Sequence, residues 1–243
     1  MIITGIIKKK DAIVLDIGCN DGTLLNYYPT SFMRYGVDPS DVAQTIANAD
    51  ITVVQDIFPS KKLVETLEGR SVDIITSIAM FYDLESPVDF VKGIKQMLSS
   101  KGVWVFEMSY MPRMLELNSY DTICHEHLEY YSLAVIETIL RMAGMKLFKI
   151  SFNDINGGSI RCYATHESSI AYDTKEDIDF LNIIRQKEFD LELDTPKPYL
   201  KFKQDIEVVK NELYDFLQKI TGEGKTVHIY GASTKGNTIL QWC

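Results

Sequence analysis

Short, mostly apolar runs recur along the first half of the chain, at residues 11–17 (DAIVLDI), 32–38 (FMRYGVD), 51–54 (ITVV), 72–78 (VDIITSI) and 103–108 (VWVFEM). Runs of this kind are what a parallel strand covered by helices on both faces requires. Helix-like stretches separate most of them, so the alternation predicts an α/β fold, a doubly wound and mostly parallel sheet with right-handed crossovers. After Glu107 the pattern changes to a polar and aromatic stretch, an amphipathic helix near 133–143, and two strand-like runs at 145–152 and 159–165. Asn156-Gly157-Gly158 between those runs reads as a tight turn, which makes them an antiparallel terminal hairpin.

From residue 175 the text turns helical, with Pro196 and Pro198 separating two helices. In the second, Tyr199, Phe202, Ile206, Val209, Leu213, Phe216 and Ile220 recur at steps of three and four and mark one face for burial. Gly222 and Gly224 end it, and TVHIYGASTKGN then reads as a new strand, a glycine turn and the start of a helix. A parallel strand needs partners, so this segment reads as a truncated second α/β unit that a partner chain could complete. The expected division is 1–167 for a cofactor-binding domain and 168–243 for the helices and the incomplete unit.

Composition narrows the function. With 243 residues, 46% hydrophobic and 24% charged, the chain is an ordinary globular protein with ample core. A net charge of -9 argues against a general nucleic-acid binder. No apolar run approaches the roughly 20 residues of a membrane helix, and MIITGIIKKK carries its charges after the apolar stretch, the reverse of a signal peptide. A cytoplasmic protein is expected. Cys19, Cys124, Cys162 and Cys243 form no CxxC pair and read as free thiols.

The first run closes on Asp16-Ile17-Gly18-Cys19-Asn20-Asp21-Gly22. A glycine turn between strand and helix lets backbone approach a ligand, and the helix start adds a positive end. Two glycines rather than three depart from the dinucleotide fingerprint, and an acid at the strand tip would repel pyrophosphate yet can pair with an ammonium group. That favours an amino-acid-bearing cofactor, S-adenosylmethionine, with S-adenosylhomocysteine as product. Asp38 lies about twenty residues past the turn, where such folds grip both ribose hydroxyls. Asp56 is placed to receive the adenine amino group, with Ile57 and Phe58 as apolar walls. Asp16, Gly18, Asn20, Gly22, Asp38, Asp56, Ile57 and Ser77 form the candidate cofactor set, and their order and spacing resemble the class I methyltransferases.

Residues 107–166 gather three of the four histidines with Glu107, Tyr110, Glu126, Tyr130, Tyr131 and Arg161. Zinc would want a second ligand pair beside Cys124, His125 and His127, and none follows, so no metal is expected. Histidine titrates near neutral pH and could take a proton from carbon beside a ketone, forming the enolate that carbon methylation needs. An extended segment would turn His125 and His127 to one side and Glu126 to the other, whereas a turn would scramble this. On chemistry alone His127 is either that base or a plain core or hydrogen-bonding histidine. Glu107, Tyr110 and Arg161 are candidate substrate ligands.

GCNDGTLL, FEMSYMPRML, YDTICHEHLEYYSL, NGGSIRCY and IYGASTKGNT together resemble the deoxysugar C-methyltransferases, which methylate a carbon beside the keto group of a nucleotide-linked 4-keto-6-deoxyhexose. The resemblance covers nearly the whole chain in order. It implies His127 as general base, with His125 and Glu126 beside it, Glu126 as a substrate ligand, and Lys235 and Asn237 in a nucleotide-sugar cleft. The chain departs from that family in lacking its cysteine-rich zinc module and in carrying Cys124 where tyrosine commonly precedes HEH. Competing expectations are an oxygen or nitrogen methyltransferase of another small metabolite, a cofactor-binding subunit without activity, and a nicotinamide oxidoreductase suggested by the second glycine loop.

Overall fold

A computed structural model describes residues 7, 9–231 and 233–243. The apolar start at residues 1–6, Lys8 and Ala232 of GASTKGN lie outside the described residues. Seven strands form one sheet, β1 (Ile13–Ile17), β2 (Met33–Val37), β3 (Ile51–Val54), β4 (Val72–Ile78), β5 (Leu98–Ser109), β6 (Met145–Asn153) and β7 (Ser159–His166). Their order is β3-β2-β1-β4-β5-β7-β6, with β1 to β5 parallel and β7 antiparallel to both β5 and β6. All five residues of β1 are buried, the consequence of a strand with neighbours on each side and cover on each face. β5 begins earlier than its apolar run, because the pairing steps from Val72–Leu98 to Ile74–Val103 and the polar residues between are absorbed in an irregularity.

The helices are α1 (Thr23–Asn26), α2 (Lys61–Thr66), α3 (Pro87–Met97), α4 (Met111–Glu116), α5 (Leu133–Met142), α6 (Lys175–Asp190), α7 (Lys197–Gly222) and α8 (Thr234–Trp242). On one face of the sheet Phe90 and Ile94 of α3, Ile136 and Leu140 of α5, and Leu181 and Ile184 of α6 share a core with Ile75, Trp104 and Phe106. On the other, Leu25, Tyr28, Phe32 and Ala43 cover Val14, Ile74, Val105 and Tyr163. Trp104 is fully buried and its indole N–H donates to Ser77 Oγ at 3.0 Å, which satisfies the one polar atom of a large apolar ring.

Three expectations change. The connection at the hairpin is wider than a two-residue turn, with a 3₁₀ turn at Ile155–Gly157 and Gly158 at φ 110° before β7 begins. A side chain at Gly158 would meet Arg113 Cγ at 2.1 Å, so the loop is pressed onto α4. The apolar stripe of α7 is buried only at Phe202 and Ile206, while Phe216 is exposed, because α4 is short and covers only the first part of the helix. The strand expected in TVHIYG does not form. Residues 225–231 are irregular, and Val227, Ile229 and Tyr230 are exposed, since no neighbouring strand among the described residues offers hydrogen bonds. The helix expected after it is present as α8. No helix among the described residues is long and apolar enough to cross a membrane.

One buried carboxylate ties α6 to the sheet domain. Glu188 accepts from Leu133 N at 2.5 Å, from Ala134 N at 3.0 Å and from the Tyr110 hydroxyl at 2.6 Å. The first two are donors at the start of α5 that the helix itself cannot satisfy. Glu188→Ala is expected to lower the unfolding free energy by about 2–4 kcal/mol, since two buried donors and one part-buried donor lose their acceptor. Tyr110→Phe removes one donor and should cost about 1 kcal/mol. Urea unfolding of the two variants beside wild type checks both, and equal losses would contradict the assignment.

Candidate active site

The C-terminal ends of the parallel strands meet along one edge, where crevices of α/β sheets form. Asp16, the penultimate residue of β1, lies opposite Gly36 on one side and Thr76 on the other. It is 4% exposed, and its Oδ1 accepts from Thr76 Oγ1 at 2.5 Å. Burial pushes its carboxyl up to about 7, with Asp38 adding to the rise and Thr76 opposing it. A carboxyl in this state favours a cation beside it.

The turn follows at once. Gly18 has φ 73° and its N–H donates to Val37 O at 2.8 Å, Asn20 has φ 47°, and Gly22 has φ 74° before α1. A side chain at Gly22 would run into Ile46 at 2.8 Å, so glycine is required there for space as well as for conformation. Asn20 N donates to Asp38 Oδ2 at 3.0 Å, while Ser40 N and Ser40 Oγ donate to Oδ1 at 2.8 and 2.5 Å. Burial alone would raise the Asp38 carboxyl, but these bonds outweigh it and hold the group below the usual carboxylate range. Ser40 therefore fills both lone pairs of Oδ1, and a grip on two ribose hydroxyls requires its hydroxyl to turn away.

Asp56 accepts from Ile57 N at 2.9 Å and from Ser60 Oγ at 2.6 Å, and these bonds hold its carboxyl below the usual range. Each oxygen keeps a free lone pair. Ile57 stands out at 70% exposure, whereas Phe58 turns inward onto Phe90 and belongs to the core. Ser77 also faces inward, fully buried and bonded to Trp104, so its side chain supports the sheet rather than the crevice.

His125 and Glu126 occupy a turn closed by His127 N donating to Cys124 O at 3.2 Å, so the triplet does not have the strand arrangement with both histidines on one side and Glu126 on the other. His125 and Glu126 are exposed, and His127 is half-buried against the ring of Tyr82, with centroids 4.3 Å apart. The residues after β4 join this loop to the glycine turn. Met80 lies against Gly18, 3.6 Å from where a β-carbon would be, and Tyr82 two residues on touches His127. Asp83 next to it has its carboxyl raised by burial, with His127 lowering and Glu126 raising it.

The other expected substrate ligands are engaged within the protein. Glu107 accepts from Arg161 Nε at 2.6 Å across the β5–β7 pair, and Tyr110 donates to Glu188. Arg161 keeps about a third of its side-chain surface exposed and retains donors for a ligand. Asn237 is exposed on α8, where Lys235 also lies. That helix docks beside the histidine loop through Thr238 Oγ1 to Ile123 O at 3.4 Å and through contact of Cys243 with Tyr120. Thr76, Met80, Tyr82 and Glu188 were not singled out in the sequence. Only Thr76 had a signal, a polar residue within the mostly apolar run VDIITSI. Among the described residues no cluster of three or more His, Cys, Asp or Glu could hold a metal ion.

Comparison with known proteins shows the family of the chain. A family model described as a methyltransferase domain matches residues 4–150, more than half of the chain. The chain belongs to the methyltransferase-domain family. Residues 154–243 of this methyltransferase-domain protein match a second model, described as a C-methyltransferase C-terminal domain. C-methyltransferase NovU of Streptomyces niveus is 26% identical, over 95% of this chain and 55% of its own, so the chain spans about half the length of that curated relative. Two solved structures share the fold. The plantazolicin methyltransferase BpumL, in complex with a triazolic desmethylPZN analog and S-adenosylhomocysteine, has a TM-score of 0.53 and 16% identity over 67% of this chain and 80% of its own. An S-adenosylmethionine-dependent methyltransferase of Clostridium acetobutylicum has a TM-score of 0.52 and 14% identity over 65% of this chain and 85% of its own.

The raised Asp16 carboxyl has a measurable consequence in the ligand-free protein. The folded state holds this proton more tightly than the unfolded chain, so the group contributes stability in full below about pH 4 and loses it as pH rises through about 7. Asp16→Asn should therefore be more stable than wild type at pH 8, by up to about 4 kcal/mol, with the gap closing toward pH 4. Urea unfolding of both proteins at a series of pH values reads this directly, and a constant difference across the range would contradict it.

Proposed function

We propose that this protein transfers a methyl group from S-adenosylmethionine to a carbon of a nucleotide-linked keto-deoxysugar through an enolate. The observation that carries the reading is the short segment 79–83, which touches the glycine turn through Met80 and the histidine loop through Tyr82. One segment thus brings the candidate cofactor turn and the candidate base to the same edge. The relative NovU and the match to a C-methyltransferase C-terminal domain support carbon as the methylated atom.

The residues of the turn fit the cofactor. Asp16 pairs with its ammonium group, and Gly18, Asn20 and Gly22 allow close approach of its amino-acid end. Asp38 accepts from the ribose, Asp56 accepts from the adenine amino group, and Ile57 covers the ring. When bound, S-adenosylmethionine supplies an electrophilic methyl on a sulfonium and leaves as S-adenosylhomocysteine. His127 takes a proton from the carbon beside the substrate carbonyl, and the electron pair of that C–H bond becomes the enolate. His125 and Glu126 lie exposed on the same turn, where they can meet the sugar. Arg161, oriented by Glu107, provides charge for the substrate's anionic part, and Tyr110 shapes the wall beside it.

Lys235 and Asn237 complete a nucleotide-sugar cleft. We place the protein in the cytoplasm, acting on a small molecule rather than a nucleic acid. An oxygen or nitrogen methyltransferase would not require a base at His127, because a hydroxyl or amine already has a nucleophilic lone pair.

Mass spectrometry of the protein with S-adenosylmethionine and a panel of nucleotide-linked keto sugars in D₂O tests the reading. One added methyl is expected, with solvent exchange at the same carbon. His127→Ala should lower turnover and exchange by about 100-fold or more while leaving cofactor affinity unchanged. Full turnover in His127→Ala would exclude the assigned base. Asp38→Ala should instead weaken cofactor binding by calorimetry, by about 1–3 kcal/mol, as loss of a buried acceptor does.

A further inference from the structure

The imidazole of His127 receives no hydrogen bond among the described residues, and its place is set by rings. Tyr82 lies 4.3 Å from it at 49°, and Tyr130 stands edge-on at 6.4 Å. The backbone carbonyl of Tyr82 accepts from Leu128 N at 3.0 Å and from Glu129 N at 3.1 Å, the two residues that follow His127. The same residue thus holds the histidine by its ring and the chain beyond it by its carbonyl. Its own position is fixed from behind, because Phe81 is buried among Phe90, Trp104, Phe106 and Tyr131 at centroid distances of 5.2–5.9 Å. A platform seated on the core in this way does not drift with the exposed turn at His125 and Glu126.

We propose that Tyr82 is a positioning residue for His127, its ring and carbonyl together fixing the imidazole in the orientation that proton removal needs. The inference rests on the reading of His127 as the base. It assigns Tyr82 a role through His127 and none toward the substrate. The charged and titratable groups around the imidazole are Asp83 from the same 3₁₀ turn and Cys124, Glu126 and Tyr130 from the histidine loop. Burial raises the Asp83 carboxyl, and His127 nearby counters that rise. A displaced base is costly, since misplacement by about 1 Å can lower a rate about 100-fold.

The test combines NMR of the histidine ring protons, assigned with His127→Gln, and steady-state kinetics. In wild type and in Tyr82→Phe, which keeps the ring, the His127 signals should carry an aromatic ring-current displacement and kcat should be similar. In Tyr82→Leu the displacement should vanish and kcat should fall by about 10- to 100-fold, with KM for S-adenosylmethionine unchanged. Tyr82→Met, closer in volume, replaces it if the leucine variant does not fold. A His127 spectrum identical in Tyr82→Leu and wild type overturns the clamp, and so does equal damage by Tyr82→Phe, which would point to the hydroxyl. A lost displacement with undiminished kcat overturns the positioning role. The separate failure of the base assignment is recognised when His127→Ala itself keeps full turnover.

Discussion

A carboxyl withdrawn from water at the tip of the first strand governs this site. Asp16 is almost wholly enclosed, with Thr76 as its hydrogen-bond donor and Asp38 nearby as a like charge. Taking such a group out of water is unfavourable for its ionised form. The sheet holds it there because β1 is central, paired with β2 and β4, and covered on both faces. A cation beside the ionised carboxylate would offset that cost.

Much of the architecture was legible because strand burial leaves a local trace. The apolar runs at 51–54 and 72–78 coincide with β3 and β4, and the helix read at 133–143 differs from α5 by a single residue. The glycine turn was also readable, since Gly18 and Gly22 adopt positive φ and Gly22 has no room for a side chain. These features depend on neighbours close in sequence, or on simple enclosure, both of which constrain residue type directly.

What stayed hidden depends on partners far apart in the chain. Nothing around Tyr82 marks it as the ring on which His127, 45 positions later, comes to rest. Glu188 sits in a helix full of charges, and only the fold reveals that it is buried and bonded to Tyr110, Leu133 and Ala134. The histidine triplet could be located but not its shape, because a turn at His125–Glu126 and an extended strand use the same residues. The run at 226–230 shows the converse. Its sequence suits a strand, yet a strand exists only where another chain segment offers its hydrogen bonds, so propensity there exceeds what the described structure realises.

The Glu188 link also bears on how the two family-matched regions can be separated. The match to the C-terminal domain model starts at residue 154, inside the hairpin, yet a side chain from α6 caps a helix of the preceding region. A grafting experiment that exchanges the tail at the profile boundary would remove β7 and strip α5 of its cap in one cut. A chimera joined beyond Leu191 carries both along, which makes the short stretch before Pro196 the natural seam for recombining such proteins.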